Sequence, residues 1–432
     1  MNAPAQTVEP TPAVAPVQSA EEVQTELRRW AFLIGAAVFS TTLSQTAVQL
    51  IKLPLQHLLK YDLHITRAAM AGFFALASMA WNFKPFAGIL SDSLPLFGTR
   101  RRHYLIFSML FAATLWLAAG LVPRTYNALL FITVAVNVCL VFGSTVAGGL
   151  LVEAGQRYGA TGRLSSARFV VQNTCLLLAG PIGGFLAARA FGLATAICAA
   201  VAFTVVPIAI LFLREPPTAT RDVAVVRKAG QQLGRIFRSA PLWAAAGMLF
   251  LVYVAPGFST PLYYYQTDTL HFSQQFIGML GLATGSAGVG AALLYGAFCR
   301  RVPLRRLLAI GISLMAVVTL TYLFYGSQRN ALMIELGAGM VATLAELPLM
   351  DLAARATPRG SEGLGFALMM SVRNGAIALS DIIGSKLADQ YHWQFSRLVW
   401  LNALTTALCL IVVPFLPNIL MNRRDGDVVA AK

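Results

Sequence analysis

Apolar stretches of about 20 residues recur along this chain between short polar turns, and that repetition limits the fold more than any other feature. A bilayer's hydrocarbon core is about 30 Å thick and takes a helix of about 20 residues. Inside lipid every backbone N–H and C=O has to be satisfied within the protein, so a chain of this pattern has to be helical. Twelve spans are expected, near residues 30–51, 69–91, 104–122, 128–152, 163–188 and 191–213, then 241–266, 275–298, 306–326, 331–352, 362–386 and 397–420. Composition agrees. Of 432 residues, 57% are hydrophobic and 12% charged, about half the charged share of a soluble domain. The mean hydropathy of +0.66 leaves no room for a soluble domain beside the spans. The fold class expected is an all-α membrane protein with twelve transmembrane helices.

Residues 1–29 differ in kind, being rich in Pro and Ala without an apolar core. They lack the basic start and apolar run of a signal peptide, and Glu9, Glu21, Glu22 and Glu26 argue against an organellar transit peptide. A disordered cytoplasmic tail is expected, with a second at 421–432; the alternative for the first is a partner-binding segment. The net charge of +15 raises the question of nucleic acid, but its placement answers it. With the N-terminus inside, 23 of the 33 basic residues fall in inside segments and six in outside loops: Lys60, Arg67, Arg124, Arg189, Arg329 and Arg397. That bias places both termini in the cytoplasm of a multi-pass inner (plasma) membrane protein and removes the case for nucleic acid.

The segment 214–240 is the one long polar stretch between spans, and it divides the chain into a six-helix bundle at 30–213 and another at 241–420. The halves echo each other. Glu153 and Arg157 end the fourth span, and Asp351 and Arg355 end the tenth, each acid one helical turn before its arginine. Ser166 and Arg168 in the fifth span match Ser371 and Arg373 in the eleventh. This layout fits two related bundles.

Two blocks carry a more specific likeness. Between spans 2 and 3 stand Lys84, Pro85, Gly88, Ser91, Asp92, Pro95, Gly98 and Arg100 to Arg102. Between spans 10 and 11 stand Pro358, Gly360, Glu362, Ala367, Leu368, Ser371 and Asn374, and the run Leu58–Leu63 follows the first span. Together these resemble the folate-biopterin transporter family, a branch of the major facilitator superfamily, in both halves of the chain. The resemblance implies a major facilitator fold of two six-helix bundles and transport of folates or pterins. It also implies that the loop with Asp92, Arg100, Arg101 and Arg102, with Glu153 and Arg157 beside it and Asp351 and Arg355 in the other half, gates the cytoplasmic side through charge-assisted bonds. The alternative for that loop is topology alone. One position departs: Gly148 stands where the family usually has an acid, five residues before Glu153.

Polar residues within the spans point to a cavity. Thr42, Gln45, Gln49 and Lys52 are spaced as one stripe on the first span, facing protein or water. Asn137, Ser144 and Gly148 make a milder stripe on the fourth, and Glu335 and Glu346 share a face of the tenth. Their alternative role is interhelical hydrogen bonding. Lys84 and Arg373 lie well inside spans, where an unpaired cation costs about 2.5–3.5 kcal/mol. They are read as meeting an anionic substrate, with Glu346 or Asp381 holding them in the empty state and a proton releasing them. Permanent pairing with those acids is the alternative. Lys52, near the expected helix end, is read as reaching to the interface. Trp81, Asn82, Tyr253 and Asn374 complete the expected substrate contacts, and Glu335 joins Glu346 and Asp381 as a coupling acid. The seventh span is expected to break at Pro256, Gly257 and Pro261. Tyr263 and Tyr264 beyond it suit either a stacking site or an interfacial belt.

No enzyme site is expected. A phosphate-binding Gly-rich loop is missing, and neither the five cysteines nor the five histidines have metal-ligand spacing, so no cofactor is expected. Three readings stand: a secondary transporter, expected to be a monomer, of an anionic pterin or folate-like solute coupled to protons or another cation; an exporter of another metabolite or drug; and a non-transporting receptor or scaffold.

Overall fold

In the computed structural model the described residues are 20–158, 161–215, 223–298, 302–358 and 362–421. Among them every regular element is helical. The first half contains α1 (Ala20–Leu43), α2 (Gln49–His57), α3 (Arg67–Ser78), α4 (Lys84–Ser93), α5 (Arg102–Leu121), α6 (Tyr126–Arg157), α7 (Thr161–Ala187) and α8 (Phe191–Phe212). A linker helix α9 (Val223–Phe237) follows. The second half contains α10 (Ala240–Val254), α11 (Ser259–Tyr264), α12 (Gln274–Phe298), α13 (Leu304–Thr321), α14 (Gln328–Ala356), α15 (Glu362–Gln390) and α16 (Phe395–Leu408). Among the described residues ten segments are long and apolar enough to cross a membrane. They match the expected spans three to twelve, with α10 and α11 counted as one.

The first two expected spans are present but interrupted. The helix expected at 30–51 stops at Leu43 and resumes at Gln49. Hydroxyl competition favours the stop: Thr41 Oγ1 donates to the Ala37 carbonyl at 2.7 Å instead of leaving the ladder alone. The freed Ser44 carbonyl accepts from Trp116 Nε1 at 3.1 Å. Irregular backbone at this depth needs such internal partners. The expected stripe of Thr42, Gln45, Gln49 and Lys52 therefore does not lie on one continuous helix. The helix expected at 69–91 narrows to a 3-10 turn at Met79–Phe83. Pro85 supplies the reason, since its ring excludes the carbonyl four residues earlier and it has no N–H to donate.

One further expectation changes. The tail expected at 1–29 is helical from Ala20, with Glu21 and Glu22 favourably placed in the first turn; residues 1–19 and 422–432 lie outside the described residues. The segment 214–240 between the halves contains α9.

The bundle has a near end, where α1 begins and α8 finishes, and a far end made of the opposite hairpins. Arg29 donates to the Phe212 carbonyl at the near end. At the far end the halves repeat a device that sequence reading missed. Each half runs into a π turn, Leu58–Asp62 and Tyr265–Thr269, followed by Leu63-His64-Ile65-Thr66 and Leu270-His271-Phe272-Ser273. His64 and His271 adopt φ of 49° and 52°, a left-handed conformation that histidine tolerates better than most residues. Thr66 and Ser273 then accept from Ala69 N and Phe276 N and start the next helices.

Buried apolar residues form two clusters, and their division locates the seam. One runs through the first half and continues into Tyr263, Tyr264, Phe272, Ile277, Leu280, Tyr325 and Ala331 of the second. The other is confined to the second half, from Ile236 to Met421. Among the described residues the halves thus share a buried apolar core toward the far end. Glycines allow the closest approach: a Cβ on Gly278 of α12 would sit 2.3 Å from the Gly180 carbonyl of α7, and one on Gly184 would sit 2.5 Å from the Gln274 carbonyl.

Candidate functional site

The break between α10 and α11 shapes the centre of the molecule. Pro256 and Pro261 remove backbone donors there, as the sequence leads one to expect. The loosened backbone is bound by neighbouring helices: Gly257 N donates to the Ser380 carbonyl at 3.0 Å, and Asn402 Nδ2 donates to the Pro256 carbonyl at 3.0 Å. Asp381 accepts from Thr260 N at 2.8 Å and from Thr260 Oγ1 at 2.6 Å, so its carboxylate caps the start of α11.

Around this break lie two adjoining cavities of 640 and 360 Å³. Both are bordered by Ala47, Lys52, Ser259, Ile377 and Asp381, drawn from the two interrupted helices and α15. The larger extends to Gln56, Gln266, Tyr322 and Glu335, the smaller to Gln45, Trp81, Arg373 and Asn374. Their sizes fall in the range of small-molecule sites, about 300–1,000 Å³.

The expected substrate contacts separate into three groups. Arg373, Asn374, Trp81 and Gln45 border the smaller cavity. Arg373 is paired, with Nη2 2.6 Å from Glu346 Oε1 and its guanidinium 4.8 Å from the Tyr253 ring centre. Lys84 is the first residue of α4; its ammonium donates to Ser144 Oγ at 2.9 Å and lies 5.7 Å from the Trp81 ring. Asn137 is fully buried and borders neither cavity. Its Oδ1 accepts from Trp81 Nε1 at 2.9 Å and its Nδ2 donates to Thr46 Oγ1 at 2.8 Å. It thus ties the interruptions of the first two spans to α6, which is the interhelical role held open for it. Asn82 joins the halves through its backbone, whose carbonyl accepts from Ser371 Oγ at 2.9 Å. The Gln49 side chain lies outside the described residues.

Of the expected coupling acids, Glu346 holds Arg373, Asp381 caps α11, and Glu335 accepts from Thr284 Oγ1 at 2.9 Å and Tyr325 Oη at 3.2 Å. Among the expected gating residues, Arg101 pairs with Glu153, and Asp351 with Arg355 at 2.7 Å. Arg100 shares the loop with Arg101, and Arg102 donates to the Ile210 carbonyl at 2.9 Å. The side chains of Asp92 and Arg157 lie outside the described residues. Both of these pairs, Arg101 with Glu153 and Asp351 with Arg355, lie within one half each.

Cross-half ion pairs stand at the far end instead, and sequence reading did not single them out. Lys60 meets Thr267 and Asp268, and Arg67 pairs with Asp389 at 3.2 Å. Asp389 also accepts from Ala68 N at 2.7 Å, placing a carboxylate of the second half on the N-terminus of α3. Tyr263 and Tyr264, read as a possible belt, are 3% and 7% exposed. They face the Lys60 ammonium rather than a lipid interface, at 5.7 and 4.6 Å. The repeated Leu-His pairs after each π turn were the available signal.

Two other residues were missed. Glu215 accepts from Arg101 N and Arg102 N, both at 3.0 Å, and so caps α5 from the linker. Lys52 was read as reaching to an interface, but its helix continues past it through His57 and the turn to Asp62, which leaves it mid-segment on the cavity wall.

Comparison with known proteins places this architecture. The chain is 29% identical over 409 residues to a folate-biopterin transporter of Synechocystis sp. (strain ATCC 27184 / PCC 6803 / Kazusa), covering 88% of this chain and 80% of that protein. It is 24% identical over 404 residues to folate transporter 2 of Plasmodium falciparum (isolate 3D7), covering 88% and 87%. Among solved structures, the nucleoside transporter NupG superposes with a TM-score of 0.68 at 13% identity, covering 91% of this chain and 98% of that one. A D-xylose-proton symporter gives 0.63 at 16% identity, covering 93% and 99%. These likenesses establish the major facilitator fold. The model of the BT1 family matches residues 45–431, nearly the whole of both halves, and the chain therefore belongs to the BT1 family, as a multi-pass membrane transporter of a small molecule rather than an enzyme.

Proposed function

We propose that this transporter moves an anionic pterin or folate-like solute by alternating access, driven by protons. The observation that carries the reading is the cavity region at the seam between the halves, with Lys52 and Arg373 on its walls and, among the described residues, cross-half ion pairs at the far end. Mid-membrane cations are costly unless paired or used. The printed names of the relatives in Synechocystis and Plasmodium give the substrate class. The twelve-span count rests on taking α1 with α2 and α3 with α4 as one crossing each. The bundles are assigned to 30–213 and 241–420, and a monomer suffices.

In this reading the near end is cytoplasmic, by the placement of basic residues, and the protein sits in the inner membrane. The far-end latch of Lys60, Asp268, Arg67 and Asp389 is then closed outward and the solute exchanges with the cytoplasm. Arg101 with Glu153 and Asp351 with Arg355 are poised to regroup when the near end shuts. Coupling runs through Glu346: protonating it frees Arg373, with Tyr253 beneath, to meet the solute's carboxylate.

The test is uptake of labelled folic acid and of biopterin by proteoliposomes with and without an imposed pH gradient, alongside nucleosides and lipophilic cations. Accumulation of a pterin compound that collapses with the gradient is expected. Uptake of nucleosides or cations alone would overturn the substrate class, and gradient-independent uptake would overturn the coupling.

A further inference from the structure

The larger cavity has walls of opposite charge, contributed by opposite halves. Lys52, on α2, borders both cavities. Among the described residues no hydrogen bond or ion pair engages its ammonium, which lies 5.8 Å from the Phe74 ring. Asp381, which borders both cavities from α15 of the second half, has both carboxylate oxygens engaged by Thr260. Lys84 and Arg373, by contrast, already have partners in Ser144 and Glu346. Lys52 is therefore the cavity cation whose direct contact is still open.

Glu335, on α14, borders the same cavity from the second half. Its carboxylate accepts from Thr284 and Tyr325, and the Tyr322 hydroxyl is a third donor to it; an ionised carboxylate offers about four lone-pair sites, so one acceptor position is open and a second opens when the ligand displaces the Tyr322 hydroxyl. The surroundings are flat and aromatic. Tyr322 stacks on Tyr325 with centroids 5.4 Å apart and planes 5° from parallel, and the Phe258 ring meets Tyr322 at 5.1 Å. Tyr322 and Phe258 both border the cavity. A carboxylate beside aromatic faces suits a planar heterocycle that presents two adjacent N–H donors, because both donors can bond one carboxylate while the ring stacks.

We propose that Glu335 binds the donor edge of the substrate's heterocycle, the 2-amino-4-oxopyrimidine edge of a pterin, while Lys52 binds one carboxylate of a folate-like solute and Arg373 meets the other. The proposal rests on the folate and pterin reading above and divides that site into two subsites. One solute then touches both halves at once, so occupancy of the cavity draws α2 and α14 together. Specificity follows from the pairing: a ligand with only one of the two groups fills only one subsite.

The experiment measures binding to the full-length protein in nanodiscs by isothermal titration with three probes. Folic acid carries both groups, biopterin only the donor edge, and p-aminobenzoylglutamate only the carboxylates. Glu335→Gln is expected to weaken folic acid and biopterin by about 10- to 100-fold, as for loss of hydrogen bonds to a charged group, and to leave p-aminobenzoylglutamate unchanged. Lys52→Gln is expected to do the reverse, weakening folic acid and p-aminobenzoylglutamate and sparing biopterin. Lys52→Arg is expected to restore anion binding. If a glutamine variant does not fold, Glu335→Asp and Lys52→Met are measured for the same split. Equal losses for all three probes, or no losses, would overturn the two subsites while leaving pterin transport standing. Failure of folic acid and biopterin to bind the unaltered protein would overturn the substrate reading itself, and the subsites with it.

Discussion

Replacing Gly384 with alanine tests whether the broken seventh span is held by α15. A Cβ at this position would stand 1.6 Å from the Gly257 carbonyl oxygen. No side-chain rotation relieves that contact, because the clashing atom is backbone, so α15 has to withdraw by well over an ångström. The bonds nearest the contact are then stretched beyond the range of a hydrogen bond. They are Gly257 N to the Ser380 carbonyl, Ser380 Oγ to the Ala255 carbonyl, and the two from Thr260 to Asp381. Hydrogen bonds within membranes average about 0.6 kcal/mol and reach about 1.7; with two of the four on a carboxylate, the loss comes to about 2–4 kcal/mol. Alanine's better helix propensity returns about 1 kcal/mol. Gly375, on the same helix with nothing within 4 Å of an added Cβ, isolates that gain. Reversible unfolding in mixed micelles of rising sodium dodecyl sulfate should therefore place Gly384→Ala about 2–4 kcal/mol below Gly375→Ala. Equal stabilities would refute the account of the seam.

Three further outcomes follow from the same geometry. Arg373→Gln should destabilise the protein by about 1 kcal/mol by leaving the partly exposed Glu346 without its partner, while the double change with Glu346→Gln recovers much of that loss in a melting measurement. Equal melting of the single and double variants would count against the pair. Lys60→Ala with Asp389→Asn removes cross-half bonds at the far end, so a cysteine placed at Gln56 should react faster with a membrane-impermeant maleimide from that side; an unchanged rate would show that the latch does not hold the closed state. Asn137→Ala strands the partners Trp81 Nε1 and Thr46 Oγ1 and should cost about 1–3 kcal/mol in the same unfolding assay.

What the sequence determined by itself was the part governed by local and repeated physics. Apolar length required membrane helices, because lipid offers the backbone no partner. Pro256, Gly257 and Pro261 marked the break in the seventh span, because proline removes a donor wherever it stands. Two motif blocks and the paired Glu153–Arg157 and Asp351–Arg355 spacings pointed to the family and to a duplicated bundle. That Arg373 needs an acid, Glu346 or Asp381, was also legible, since a cation that deep in an apolar helix is costly unpaired; the fold gave it Glu346.

Tertiary structure decided which polar residue meets which. The interruption after Leu43 has no proline or glycine to announce it; it persists because Trp116, 72 residues along the chain, binds the freed Ser44 carbonyl. That interruption, with the continuation to Asp62, moves Lys52 from an expected helix end to a cavity wall. Asn137 and Ser144 looked alike on one stripe, yet only packing assigns Asn137 to the broken helices and Ser144 to Lys84. The far-end latch joins Lys60 to Asp268 and Arg67 to Asp389 across 208 and 322 positions. Spacing along a helix predicts partners only within a turn or two, whereas these charges find each other because two bundles close on the same end.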